Sequence, residues 1–171
     1  QHAPEATCLE EVLEVFSLDH PDPEETKRLH GGVAGYLLWK RESGFQPLRH
    51  EFPVWSRTLR VAGMPDIYGT YPDGRRVLAD LKSWKSQGAK PKRAAEIQTA
   101  AYALMARESE GLKTDLRVVL KLSGDGGYRS YECTNPSDEQ VFIYCAKIWW
   151  DRAQNGLIEG IGQDSELEVE A

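Results

Sequence analysis

Asp80 and Lys82 stand two residues apart in a stretch, 75–83, that reads as a β-strand. Side chains alternate along a strand, so the carboxylate and the ammonium leave one face and Leu81 leaves the other. A half-buried strand seldom carries both charges on one face unless they pair or bind something. An exposed ion pair would satisfy the same spacing. Asp66, in Gly63-Met64-Pro65-Asp66, shifts the balance, because a hairpin between neighbouring strands brings it beside Asp80. Two converging carboxylates repel unless a cation lies between them. Oxygen donors with open positions suit Mg2+ or Mn2+, which take one or two carboxylates, several waters and the oxygens of a phosphate substrate. The chemistry so supported is hydrolysis at phosphorus. The metal makes its bound water more acidic and offsets phosphate charge, while Lys82 orients the attacking water and stabilises the anionic transition state.

The elements that must position these groups follow from pattern. Leu9, Val12, Leu13 and Phe16 recur at helical spacing over 5–17. A second helix is predicted over 23–43, with Asp22 as cap, Pro23 at the first helical position, Glu25 completing a capping box and Gly44 ending it. Gly31, Gly32 and Gly35 lie inside it. Each costs about 1 kcal/mol relative to alanine, so they imply close packing against a neighbour. Three strands, 47–56, 59–70 and 75–83, form an antiparallel meander, with Tyr71-Pro72-Asp73-Gly74 as the last turn. Pro91 opens a helix to about Arg107 whose apolar stripe is Ala94, Ile97, Ala101, Leu104 and Met105; Gly111 lies just beyond. Strands over 116–122 and 128–133 flank a glycine-rich turn, and a last helix begins at Pro136 behind the cap Asn135. The expectation is one domain over 1–155 and an acidic, mobile tail over 156–171, built as a mixed sheet flanked by helices.

The 171 residues carry a formal net charge of −6, which alone argues against a nucleic-acid partner. Distribution matters more. Acid gathers at the ends, in Glu5, Glu10, Glu11 and Glu14 and in Asp164, Glu166, Glu168 and Glu170, whereas Lys82, Lys85, Lys90, Lys92 and Arg93 follow one another without an intervening acid. That run is a candidate phosphate-contacting surface, and Trp84 within it could stack on an unpaired base; a solvated basic loop reads the same way. Cys8, Cys133 and Cys145 are odd in number and scattered, so neither a disulfide framework nor an iron-sulfur cluster is expected. No apolar run approaches the roughly 20 residues of a membrane span, and no signal-peptide pattern opens the chain, so a cytoplasmic protein without membrane contact is expected.

Taken in order, Glu51, then Ala62-Gly63-Met64-Pro65-Asp66, then Asp80-Leu81-Lys82, then Gln98 with Ala101-Tyr102, resemble the PD-(D/E)XK nuclease superfamily, in particular its RecB-like exonuclease branch of phage type without a cluster. The resembling stretch runs from about Gly35 to Ala103. It implies a restriction-endonuclease-like α/β (α+β) core of order αβββαβ. It also implies Asp66, Asp80 and the backbone carbonyl of Leu81 as metal ligands, Lys82 as the catalytic lysine, and Glu51 close behind as an outer metal or water contact. Gln98 and Tyr102, four apart on one helix face, would look toward the metal or the substrate backbone. Such nucleases place a metal-binding histidine on an upstream helix. His30 comes late for that role on this alignment, and His2 stands at the very start. The implied activity is Mg2+- or Mn2+-dependent hydrolysis of DNA, with an exonuclease acting on ends or single strands preferred over a structure-dependent endonuclease or a catalytically silent binding module. Homo-oligomerisation and a recombination partner protein stay open.

Overall fold

A computed structural model describes residues 23–84 and 93–158. The helix expected over 5–17, the tail beyond 158, and Lys85, Lys90 and Lys92 lie outside the described residues. Helix α1 spans Pro23–Ser43 and ends at Gly44, whose φ of 68° is the left-handed conformation a helix stop requires. Strand β1 (Gln46–His50) follows, then the short β2 (Val54–Ser56) and β3 (Val61–Gly63), then β4 (Ile67–Thr70) and the long β5 (Arg76–Trp84). Helix α2 (Arg93–Glu110) precedes β6 (Leu116–Ser123) and β7 (Tyr128–Glu132), and α3 (Asp138–Gln154) comes last.

Five strands form one sheet in the order β1-β4-β5-β6-β7; β2 and β3 pair only with each other. Strand β5 is central, antiparallel to β4 across the turn at Pro72–Gly74 and parallel to β6, which it reaches through α2. Alternation along β5 divides the core. Val77 and Ala79 pack with Trp39, Phe45, Val118 and Leu120 beneath α1. Leu78 packs on the other side with Phe52, Val54, Leu104 and Met105 beneath α2.

Two predicted strands are each broken in the structure. The stretch 47–56 is interrupted at Glu51, whose φ of 41° turns the chain out of the sheet, and at Pro53, which has no N–H for a ladder. The stretch 59–70 is interrupted at Met64-Pro65. The meander therefore consists of β1, β4 and β5, with β2–β3 as a hairpin standing off it onto α2. The buried stripe on α2 also differs from expectation. Ala94 is exposed and Ile97 half-buried, whereas Ala95, Thr99, Ala100, Ala101, Leu104, Met105 and Ala106 are buried, because the sheet and hairpin cover one side of this helix and α3 another.

Arg117 on β6 ties these layers. Its guanidinium donates to the carbonyl oxygens of Glu96, Cys133 and Asn135 and to Asp138 Oδ2 at 2.9–3.1 Å, joining α2, the end of β7 and the start of α3. Asp138 is fully buried and is shared between Arg117 and Arg93. At the other end of β5, Asp115 receives the Arg76 backbone N–H and two of its guanidinium N–H groups, while Asp115 N–H donates to the Arg76 carbonyl. Among the described residues no helix is long and apolar enough to cross a membrane.

Two of the three α1 glycines have the packing role their cost implied, whereas Gly32 faces open space. A Cβ on Gly31 would overlap the backbone of Gly124, and one on Gly35 would stand 2.6 Å from the carbonyl oxygen of Gly127. Helix propensity alone says that Gly31→Ala stabilises; overpacking against backbone says the reverse and is the larger effect. We expect Gly31→Ala to lose about 1–3 kcal/mol in denaturant unfolding, and a gain would show that α1 is not seated on the β6–β7 turn. The Arg76 side chain and N–H hold the Asp115 carboxyl at about 2, below its ordinary value. Its stabilising effect is therefore present above about pH 4 and lost as pH falls toward 2. Asp115→Asn should flatten this part of the acid unfolding curve, measured as midpoint against pH.

Candidate metal and phosphate site

Strand register brings the two aspartates together. Ile67 is paired with Ala79, so the next antiparallel step places Asp66 opposite Asp80. Asp66 Oδ2 accepts the Leu81 N–H at 2.5 Å, which fixes its carboxylate against β5. Asp80 points to the α2 side of the sheet and is only 2 % exposed. Lys82, on the same face, lies with Nζ 2.8 Å from Asp80 Oδ2. The same Nζ donates to Gln98 Oε1 at 3.1 Å, and Gln98 Nε2 donates to Tyr102 Oη at 2.8 Å. One series thus runs from the central strand onto one face of α2. Its outer end is packed by the hairpin, because a Cβ on Gly63 would stand 2.7 Å from the Tyr102 ring.

Burial pushes the Asp80 carboxyl above its ordinary range; Lys82 pulls it down and the neighbouring Asp66 charge adds to the rise. Although Lys82 is close, Asp80 Oδ2 is buried with no hydrogen bond of proper geometry. A buried carboxylate oxygen short of a donor, facing a second carboxylate, is what an oxygen-seeking divalent cation would satisfy. Among the described residues no group of three or more His, Cys, Asp and Glu side chains converges. Two carboxylates without His or Cys partners suit an oxygen-seeking divalent cation rather than a closed tetrahedral zinc site.

The other candidates fall in different places. Glu51 is exposed at the end of β1, its N–H donating to the Asp66 carbonyl at 2.9 Å, so its backbone is part of the site's frame. His30 is half-buried on α1, one residue before the glycine seated on the β6–β7 turn, and is not gathered with Asp66 and Asp80. Arg93 opens α2 with its guanidinium paired to Glu96 at 2.7 Å and to Asp138. Trp84 closes β5 opposite Ser123. Lys121, which pattern reading passed over, is buried beside Lys82 in the β5–β6 register. Its signal was a charge inside the apolar run of β6. A cleft of about 680 Å³ between Arg76, Arg107, Lys113 and Arg117 shares no residue with this site.

The profile of the PD-(D/E)XK nuclease superfamily matches residues 1–158. No curated protein matches the chain in sequence. Among solved structures, a "Putative exonuclease" from Eubacterium rectale superposes with a TM-score of 0.59 at 15 % identity, covering 90 % of this chain and 65 % of that one. The crystal structure of SSO0001 has a TM-score of 0.47 at 13 % identity, covering 81 % of this chain and 64 % of that one. At such identity the first likeness is one of fold, and the chain spans under two thirds of the length of either solved protein. The five-stranded mixed sheet with helices on its faces is consistent with a restriction-endonuclease-like fold. With the profile matched over residues 1–158 of 171, the chain belongs to the PD-(D/E)XK nuclease superfamily.

Proposed function

We propose that this chain is a DNA nuclease of the RecB-like branch, an exonuclease that hydrolyses phosphodiester bonds at ends or in single strands with Mg2+ or Mn2+. The observation that carries the reading is the bonded series Asp80, Lys82, Gln98 and Tyr102 beside Asp66. Members of this superfamily generally use divalent metal ions. Asp66, Asp80 and the Leu81 carbonyl would hold the ion, which when bound supplies an acidified water and neutralises charge on the phosphate. Lys82 has three N–H donors, one given to Gln98 while the charge pairs with Asp80, so another can meet a phosphate oxygen or the attacking water. Gln98 fixes the Lys82 ammonium and Tyr102 fixes the Gln98 amide. Glu51, joined to Asp66 through its backbone N–H, would accept a proton or a water hydrogen bond at the rim.

End-labelled linear DNA and covalently closed circular DNA, each incubated with Mg2+ or Mn2+, separate the possibilities. Loss of linear DNA alone, abolished by EDTA and by Asp80→Ala, is the expected result; cutting of the circle would replace the exonuclease by an endonuclease. Absence of metal-dependent cleavage by folded protein would overturn the hydrolytic reading. Lys82→Ala should lower kcat by roughly 10²–10³. Gln98→Ala, which removes a support and not a reacting group, should lower kcat by roughly tenfold while KM changes little. An equal loss in both variants would mean that Gln98 itself touches substrate.

A further inference from the structure

Between Glu51 and Asp66 the chain leaves the main sheet as the β2–β3 hairpin, and the base of this excursion is closed by the Glu51 N–H bond to the Asp66 carbonyl. The hairpin has two unlike faces. Phe52, Val54, Ser56 and Leu59 are buried, the three hydrophobic ones in the cluster that includes α2 residues. Pro53, Trp55, Arg57, Arg60, Ala62 and Met64 are all exposed. Trp55 pairs with Ala62 across the hairpin, and Met64 is the next residue on that face, two before Asp66. The Trp55 and Met64 side chains remain 38 % and 53 % exposed. Singly scattered apolar side chains need no explanation, but a tryptophan and a methionine exposed on one hairpin face, the methionine two residues before Asp66, do.

The charge of this segment identifies the occupant. Residues 52–65 contain two arginines and no acid, in a chain whose net charge is −6. Glu108 on α2 accepts the backbone N–H groups of Arg57 and Thr58, so the turn that presents Arg57 is held from beneath. Arg60 lies over the Trp150 ring at 4.6 Å, leaving the Arg57 guanidinium as the outward cation. We propose that the outer face of the β2–β3 hairpin is a stacking track for an unpaired nucleic-acid strand running to the Asp66–Asp80 site. Trp55 takes the face of one base, Met64 lies against the base next to the scissile position, and Arg57 meets a backbone phosphate. Aromatic stacking accepts any base, a methionine can wedge beside an unstacked step, and arginine is a common phosphate contact. A protein surface could also cover apolar side chains, but two arginines and no acid within 52–65, with the Glu108 carboxylate taken up by backbone N–H groups and the Arg57 side chain exposed, favour a polyanion on a segment joined to a candidate phosphodiester site. The inference rests on the nucleic-acid reading of that site.

Binding of the full chain to a fluorescein-labelled single-stranded oligonucleotide, and to the blunt duplex of the same sequence, is measured by anisotropy in EDTA, where no cleavage intervenes. Trp55→Ala should weaken single-strand binding by about 5- to 100-fold. Trp55→Leu, which keeps an apolar strand residue, should fall with it, and Trp55→Tyr should retain affinity within about twofold. Met64→Ala should weaken single-strand binding more than duplex binding. Unchanged single-strand affinity in Trp55→Ala and Trp55→Leu, or no single-strand binding by the unaltered chain, would overturn the track. So would a dimer in sedimentation that Trp55→Ala dissociates, since a second copy would then own the face. Cleavage is read separately through Asp80→Ala: cleavage with no effect at Trp55 removes the track alone, whereas a Trp55 effect without cleavage removes the hydrolytic reading and leaves the track.

Discussion

A nearly fully buried carboxylate on the central strand of the sheet is the constraint around which this fold is arranged. Asp80 sits where an apolar residue would cost least, with the Lys82 ammonium close by and Asp66 beside it just ahead of β4. Buried ion pairs add little to stability compared with apolar residues of similar volume, so the pair is poorly explained as a structural device. Its surroundings are organised to tolerate it. Strand β5 has neighbours on both sides, the Leu81 N–H is turned to Asp66, and α2 crosses with an amide to hold the lysine. A local rule broken in the middle of an otherwise consistent core is where a functional or strained site is expected.

Helix α2 serves both the core and the site, and its composition reflects this. Four alanines lie on its buried surface, which lets the helix approach the sheet on one side and α3 on another. The same close approach brings Gln98 within hydrogen-bonding distance of Lys82. Gly63 does the equivalent for the hairpin, since only a residue without Cβ lets β3 lie against the Tyr102 ring.

Much of the fold was legible in the sequence because its signals were local. Pro23 and Gly44 at the ends of α1, the Tyr71–Gly74 turn and the apolar run of β6 each state their element within a few residues. The even spacing of Asp80 and Lys82 and the four-residue spacing of Gln98 and Tyr102 placed each pair on one face, and those faces meet. What alternation could not reveal was where a strand leaves its sheet. The runs through Pro53 and Pro65 keep a period of two on both sides of each break, because the hairpin has its own buried and exposed faces. Nor could a stripe drawn on α2 anticipate that two sides of the helix would be covered. The partners of Arg93 lie on its own helix and on a helix 45 residues further on (138 − 93), and no pattern within the basic run points to the latter.

The separations along the chain carry a consequence of their own. The bonds that define the site span 15, 16 and 4 residues, and everything from Glu51 to Tyr102 is one continuous segment. Contacts that seat α1 on the β6–β7 turn join Gly31 to Gly124, about 93 positions apart. Closing short loops costs less chain entropy than closing long ones, so the carboxylates and their lysine assemble from local pairings while the outer helix waits on distant ones. The chemical unit is in effect a cassette: chain inserted ahead of Glu51 or behind Tyr102 changes what surrounds the cassette, its reach and its company, without having to reinvent the groups inside it.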